Sequence, residues 1–275
     1  MRVIGITGPT GAGKTTVLQA LESLGGVLID ADAVYHDLTR SSQAMQAELI
    51  ARFGPVYDGN ELDRKKLGAV VFQDENALAD LNRITHKYIA RETQRRIEAA
   101  KAAGATAVGI DAIGLLESQL VDFCDCTLAV TAPEELRVKR IMARDGISED
   151  YARLRVSAQK PSAWFQAHCD YTIESTEADT VETTGARAKA LFEKILEVNQ
   201  KDPGPAEAGR PVFQPHQRLR PSGGRRGAGH SGLLRGLQDL PGRRQDRAGV
   251  RDLHHRPGGS RRVPAPGSGR EAPGR

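Results

Sequence analysis

The sequence predicts an α/β fold, a mainly parallel sheet flanked by helices, followed by a segment of different character. Three observations predict it. Short apolar runs alternate with longer amphipathic ones, as strands alternate with helices in βα units. A glycine-rich stretch sits where the first such strand meets the first such helix. Composition also changes abruptly near residue 200. Of 275 residues, the first 200 carry 23 Lys+Arg against 29 Asp+Glu, a net of −6, and the last 75 carry 16 against 6, a net of +10. The whole-chain charge of +4 therefore averages two unlike segments. The last 75 residues also hold 10 of the 14 prolines, 15 of the 29 glycines, no Ile and 15 Arg to a single Lys, so fold reasoning is confined to the first 200.

Val3–Thr7 reads as a buried strand running into Gly8–Gly13 and then a helix from about Lys14 to Leu24. Gly25-Gly26 ends that helix, because glycine tolerates the left-handed cap. Val27–Ile29 is a second strand, closing on Asp30-Ala31-Asp32, and helical patterns follow to about Phe53. Gly59-Asn60 is a turn, and Asp63 reads as the N-cap of a helix toward Phe72. From Asp74 to Ala103 Leu78, Leu81, Ile84, Tyr88 and Ile89 share a helical face. Ala105–Asp111 is a third strand and Thr127–Thr131 a fourth. Thr131-Ala132-Pro133-Glu134 has the pattern of a capping box with proline in the first turn, opening a helix through Arg144 that Asp145-Gly146 breaks. Glu149–Gln159 is a further helix, Tyr171–Ile173 a fifth short strand, and Asp179 the expected cap of a last helix to about Asn199.

Composition excludes several classes. Cys124, Cys126 and Cys169 are too few for a disulfide scaffold and lack C-x-x-C spacing, which fits reduced thiols in a cytoplasmic protein. No run approaches the roughly 18 apolar residues of a membrane span, and the apolar start is too short for a signal peptide.

Gly8-Pro9-Thr10-Gly11-Ala12-Gly13-Lys14-Thr15 fits G-x-x-x-x-G-K-[ST] between a strand and a helix. Glycines let the backbone wrap closely, so that successive N–H groups face phosphate oxygens, and the helix presents its positive end to the same anion. Lys14 can reach the β/γ-phosphates and the Thr15 hydroxyl can ligate Mg2+. The pattern points to a nucleoside triphosphate with Mg2+. No N-K-x-D stands where a GTPase would read guanine, and about 200 residues with one such loop suit a small-molecule kinase. Such a kinase needs a carboxylate near the acceptor hydroxyl. Asp30 and Asp32 lie at the carboxyl end of a strand, where α/β proteins bind ligands, and are expected to project to the same side. Helix capping alone also favours Asp there. Asp111 ends another apolar strand, as a metal-binding acid or as an ordinary cap. Arg137, Arg140 and Arg144 recur on one helical face and can clamp polyphosphate, although such faces are often simply solvated.

These residues, taken in order, resemble the dephospho-CoA kinase family. The resemblance runs over residues 1–199. It rests on Thr7–Thr16 with Val27-Leu28-Ile29-Asp30-Ala31-Asp32, then Phe53-Gly54, then Leu62-Asp63-Arg64-Lys65-Lys66-Leu67 with Val71-Phe72. Leu81-Asn82-Arg83-Ile84-Thr85-His86 with Ile89 follows, then Asp111 with Leu115-Leu116-Glu117, and Leu136–Arg140 with Arg144-Asp145 and Gln159. It implies ATP-dependent phosphorylation of the ribose 3′-hydroxyl of dephospho-CoA to give CoA and ADP. The fold it implies is that of a P-loop NTPase, nucleoside-monophosphate-kinase-like: a three-layer sandwich around a five-stranded parallel sheet. A helical acceptor-side insertion is expected at about 60–105 and a lid at about 137–150. By position Asp32 resembles the catalytic base, with Lys14 and Arg140 as phosphate-stabilising cations. Gly8, Gly11, Ala12, Gly13, Lys14, Thr15, Thr16 and Arg144 resemble the ATP site. Asp32, His86 and Asp111 resemble the acceptor site, and Thr15 the Mg2+ ligand. A membrane partner is not expected, nor is nucleic acid.

The chain departs from the family pattern in five places. His36 stands for arginine, Lys87 for proline, Ile113-Gly114 for Pro-Leu, and Ser175 and Glu177 for asparagine and glycine. These changes leave open a nucleoside or nucleotide acceptor, or a nucleotide-binding relative without turnover. The segment 200–275 lacks aromatic interleaving and apolar periodicity, which fits a disordered basic tail. Its Arg/Gly/Pro/Ala bias is also what GC-rich DNA read in a wrong frame would encode, a reading favoured over an RNA- or membrane-binding arm.

Overall fold

In a computed structural model, which describes residues 1–197, the alternation of strand and helix is realised as a three-layer α/β sandwich. The segment 200–275 and its expected disorder lie outside the described residues. The central sheet has five strands, β1 (Arg2–Thr7), β2 (Val27–Asp30), β5 (Ala107–Asp111), β6 (Cys126–Thr131) and β7 (Tyr171–Glu174), in the order β2-β5-β1-β6-β7. Every pairing in it is parallel. The five expected strands are these five. Because β1 is central, the loop leaving it opens in the middle of the sheet's carboxyl edge.

Alternation along the strands sorts side chains onto two faces. Ile4 and Ile6 of β1, with Leu128, Val130 and Ile173, pack against α1 (Lys14–Ser23) and α9 (Val181–Glu197) through Val17, Leu21, Ala188 and Phe192. Val3, Val108 and Ile110 face the other way. They meet α2 (Ala31–Ser41), α3 (Gln43–Phe53), α4 (Arg64–Val71) and α5 (Glu75–Ala102) through Val34, Met45, Leu49, Leu67, Leu81 and Ile84. Gly5 is required on this face, since a Cβ there would stand 2.5 Å from Leu115 Cδ2 and 2.8 Å from Cys124 Sγ. The 28 residues of α5 span about 42 Å at 1.5 Å each, long enough to back the sheet and extend past it. A separate small core of Val138, Ile141, Ala152 and Val156 joins α6 (Glu134–Asp145) to α7 (Glu149–Ser157).

Several local expectations hold. Gly25 adopts φ +80° and closes α1, with Gly26 N donating to Leu21 O. Asp63 Oδ1 accepts from Lys65 N and Lys66 N, capping α4. Others are corrected. Thr131 does not form a capping box. It is the last residue of β6, α6 starts at Glu134 after Pro133 with no side-chain cap, and Thr131 Oγ1 accepts from Gln166 Nε2. Asp179 does not cap α9. Thr180 does, by a reciprocal bond in which Thr183 N donates to Thr180 Oγ1 and Thr180 N to Thr183 Oγ1. Asp179 instead binds Thr176 and Arg187. The helical run to Phe53 is two helices, divided at Ser42, whose Oγ caps the second. Gly59-Asn60 is the turn of a small hairpin, β3 (Tyr57–Asp58) with β4 (Glu61–Leu62). A short helix, α8 (Ser162–His168), was not expected.

Candidate active site

The parallel sheet gathers the carboxyl ends of β1, β2 and β5 on one rim, with Asp30 and Ile6 both in register with Asp111. The loop leaving β1 wraps tightly there. Gly8, Gly11 and Gly13 have φ of +141°, +80° and +98°, values that L side chains rarely adopt. A Cβ on Gly8 would lie 2.0 Å from Val130 O, and one on Gly11 2.9 Å from Arg137 O, so no side chain fits at either position. Ala12 is buried and donates its N–H to Pro9 O. Gly13 gives α1 no side-chain cap, which directs the first-turn N–H groups and the positive helix end toward an incoming anion. Lys14 opens the helix and its Nζ folds back to Gly8 O at 3.1 Å. Thr15 is exposed on the same turn and Thr16 half-buried beside it.

The middle of the loop is held from a distance. Thr10, 2 % exposed, donates its N–H to Gln159 Oε1 at 2.9 Å and accepts from Gln159 Nε2 on its Oγ1 at 2.8 Å. Arg137 donates from Nε to Thr10 O at 2.9 Å and from Nη2 to Gln159 Oε1 at 3.1 Å. Arg137 is only 3 % exposed, and burial lowers its pKa. It is a structural cation locked into the loop, so the expected common face of Arg137, Arg140 and Arg144 divides three ways. Arg140 crosses the rim of the loop, with Nη1 3.3 Å from Gly11 O and 3.4 Å from Ala12 O and Nη2 2.8 Å from Ser175 Oγ. Arg144 pairs with Asp145 at 2.6 and 2.9 Å, which holds that carboxyl down at about 2.

The two strand-end acids also divide. Asp30 Oδ1 accepts from Asp32 N and Ala33 N, so Asp30 is the N-cap of α2. Asp32 is a half-buried first-turn helix residue just past the carboxyl end of β2, and does not project with Asp30 from one strand face. Asp111 ends β5 in register with Asp30, the last residue of β2. One helical turn beyond Asp32, His36 Nδ1 stands 3.0 Å from Arg64 Nη2. Guanidinium only donates, so Nδ1 is the acceptor and the proton resides on Nε2. Burial, then Arg64 and Arg40, lower the His36 pKa, against the opposing Asp30 and Asp37. His86 lies on α5 with its Nε2 buried and unpaired among the described residues, and burial lowers its pKa too.

The family model that matches, dephospho-CoA kinase, aligns with residues 2–179. The chain belongs to the dephospho-CoA kinase family. The dephospho-CoA kinase of Syntrophotalea carbinolica is 33 % identical over 76 % of this chain and 99 % of its own length. That of Corynebacterium efficiens is 36 % identical over 70 % and 96 %. Among solved structures, TT1252 from Thermus thermophilus superposes with a TM-score of 0.59 at 29 % identity, covering 70 % of this chain and 97 % of that one. The departures from the dephospho-CoA kinase pattern have local explanations. Lys87 bridges α5 to α3, its Nζ 2.5 and 2.6 Å from the Glu48 oxygens, while Tyr88 donates to Glu48 as well. Ile113 O accepts from Thr7 Oγ1, tying the loop after β5 to β1. Glu177 pairs with Lys139, and Ser175 meets Arg140. The sequence places Thr10 in the phosphate loop and Arg64 and Gln159 among the residues of the resemblance, but not their contacts: Gln159 lies 149 residues from Thr10, and no pattern in the chain links the two.

Proposed function

We infer that this chain transfers the γ-phosphoryl group of ATP to the ribose 3′-hydroxyl of dephospho-CoA, yielding CoA and ADP, the last step of coenzyme A biosynthesis. The observation that carries this reading is one carboxyl edge of the sheet bearing both the phosphate loop after β1 and Asp32 just after β2, in a chain of this family. Gly8, Gly11, Ala12, Gly13, Thr15 and Thr16 would wrap the β- and γ-phosphates, with Lys14 turning from Gly8 O onto them. Asp32 would take the proton of the 3′-hydroxyl as its oxygen attacks phosphorus and ADP departs. Arg140 would stabilise the charge spreading over the transferred group. The Thr15 hydroxyl is an oxygen donor, the kind of ligand Mg2+ takes together with phosphate oxygens. Thr15 would hold the ion with the nucleotide's own oxygens. Bound there, Mg2+ neutralises phosphate charge.

The helical region at about 60–105, with His86 on α5, would form the acceptor side within a kinase domain of 1–199. Residues 137–150, with Arg144, would act as the lid. The reading places the protein in the cytoplasm. Among the described residues no helix is long and apolar enough to cross a membrane. The test is ADP release with dephospho-CoA as sole acceptor, run beside nucleosides and nucleotides. Acceptor-dependent turnover with dephospho-CoA alone is expected. A protein that binds ATP but turns over only on another acceptor, or on none, overturns the reading.

A further inference from the structure

Arginine brings a long, freely rotating side chain to a site that works only if its guanidinium is already aimed. Preorganised charge stabilises a transition state because little reorganises as the reaction proceeds. Arg140 comes from α6, on the far side of the loop it crosses, and its Nη1 contacts with Gly11 O and Ala12 O are long, 3.3 and 3.4 Å. Its short bond is the 2.8 Å one from Nη2 to Ser175 Oγ.

Ser175 is suited to serve as a fixed anchor. It follows β7 directly, and its N–H donates to Thr131 O at 2.8 Å, continuing the β6–β7 pairing one residue past the strand. It is 1 % exposed, so water has little access to its hydroxyl. Nη1 stands 3.5 Å from where a Cβ on Gly13 would lie, which puts the anchored guanidinium over the start of α1. A hydroxyl accepting from a charged donor makes a stronger hydrogen bond than one accepting from a neutral donor. The neighbouring Lys139–Glu177 pair is exposed and adds little rigidity.

We propose that Ser175 is the positioning residue for Arg140, fixing its guanidinium over the phosphate cradle in readiness for the transferred phosphoryl group. Ser175 touches neither ATP nor acceptor in this scheme and acts through Arg140 alone. The proposal rests on the role given to Arg140 above, and the test separates the two.

The experiment is a double-mutant cycle on kcat and on KM for ATP, with Ser175→Ala, Arg140→Ala and the pair, each checked for an unchanged thermal unfolding midpoint. Ser175→Ala removes one oxygen, so the fold should tolerate it. Its kcat should fall about tenfold, the effect of losing one hydrogen bond to a charged group, with KM for ATP nearly unchanged. In the Arg140→Ala background the same substitution should do nothing further. Ser175→Cys, which is slightly larger and accepts more weakly, should fall in between. An equal loss from Ser175→Ala with and without Arg140 overturns the proposal, because the serine then acts independently. So does a normal kcat in Ser175→Ala when Arg140→Ala is slow. Full activity in Arg140→Ala overturns the role of Arg140 and the proposal with it.

Discussion

Replacing Gln159 by leucine isolates the clamp on the phosphate loop. Leucine nearly fills the glutamine's volume, so water gains little room to replace the lost groups. Three bonds disappear: Thr10 N to Oε1 at 2.9 Å, Arg137 Nη2 to Oε1 at 3.1 Å, and Nε2 to Thr10 Oγ1 at 2.8 Å. The Thr10 hydroxyl can rotate toward another partner. The Thr10 N–H and one arm of the Arg137 guanidinium cannot, and both residues are almost wholly buried. Each stranded donor costs about 1–3 kcal/mol, so the lower bound is about 2 kcal/mol. For a domain of this size that lowers the unfolding midpoint by about 4–8 °C. The clamp sets the loop's shape as well as its stability, so the rise in midpoint produced by saturating ATP should also shrink. Differential scanning fluorimetry of both proteins, with and without ATP, reads both effects. An unchanged midpoint together with an unchanged ATP shift would refute the reasoning. It would mean that Gly8, Gly11 and Gly13 hold the loop without help.

Three further outcomes are expected. Asp32→Ala should cut kcat on the order of 10²–10⁴-fold while ATP still binds, the size of a lost general base, as read by ADP release beside an ATP-binding measurement. His86 has a pKa lowered from its ordinary 6.5 by burial, so the unfolded chain binds more protons than the fold in the window below 6.5. Its contribution to stability is full above that value and is lost as pH falls through its folded pKa; unfolding midpoints measured from neutral to mildly acid pH should fall less steeply in His86→Gln than in the parent. Asp63→Ala should destabilise by about 1 kcal/mol through loss of the α4 N-cap, with kcat unchanged, as urea unfolding and the kinase assay would show.

What could be read from the sequence was local. The stretch from β1 through the glycine loop to α1 is contiguous, and each step has its own chemical reason, so strand, cradle and helix all stand where the residues put them. The same holds for Gly25 after α1 and Asp63 before α4. Errors came where a short-range pattern competed with a partner far along the chain. Thr131-x-x-Glu134 has the letters of a capping box, but β6 runs to Thr131 and its hydroxyl goes to Gln166, 35 residues on. Asp179 has the chemistry of a cap, yet Arg187 and Thr176 draw its oxygens away and leave the capping to Thr180. The two-residue strands of the 57–62 hairpin and the seven residues of α8 are too short to leave a periodicity at all. In the candidate site, Asp30 and Asp32 look equivalent as letters. Only the helix that starts between them turns one into a cap and puts the other in its first turn.

The long-range contacts at the cradle have a consequence that the individual residues do not suggest. Arg137 and Arg140 are three residues apart on α6, on neighbouring turns of one face. The first holds Thr10 O and the second reaches Gly11 O and Ala12 O, so one rigid helix grips three successive residues of the loop. Gln159, just past α7, grips Thr10 from the other side. Helices α6 and α7 are joined by their own small core, Val138 and Ile141 against Ala152 and Val156, separate from the two cores that flank the sheet. A shift of this pair therefore cannot move the Arg140 guanidinium without also pulling on the backbone that would surround the phosphates. In the proposed scheme, where Ser175 holds the Arg140 guanidinium in place beforehand, the same helix would keep cation and cradle in register with each other. On that reading, the rigidity of the Val138–Ile141 seam would bear on phosphoryl transfer through the two arginines that α6 carries.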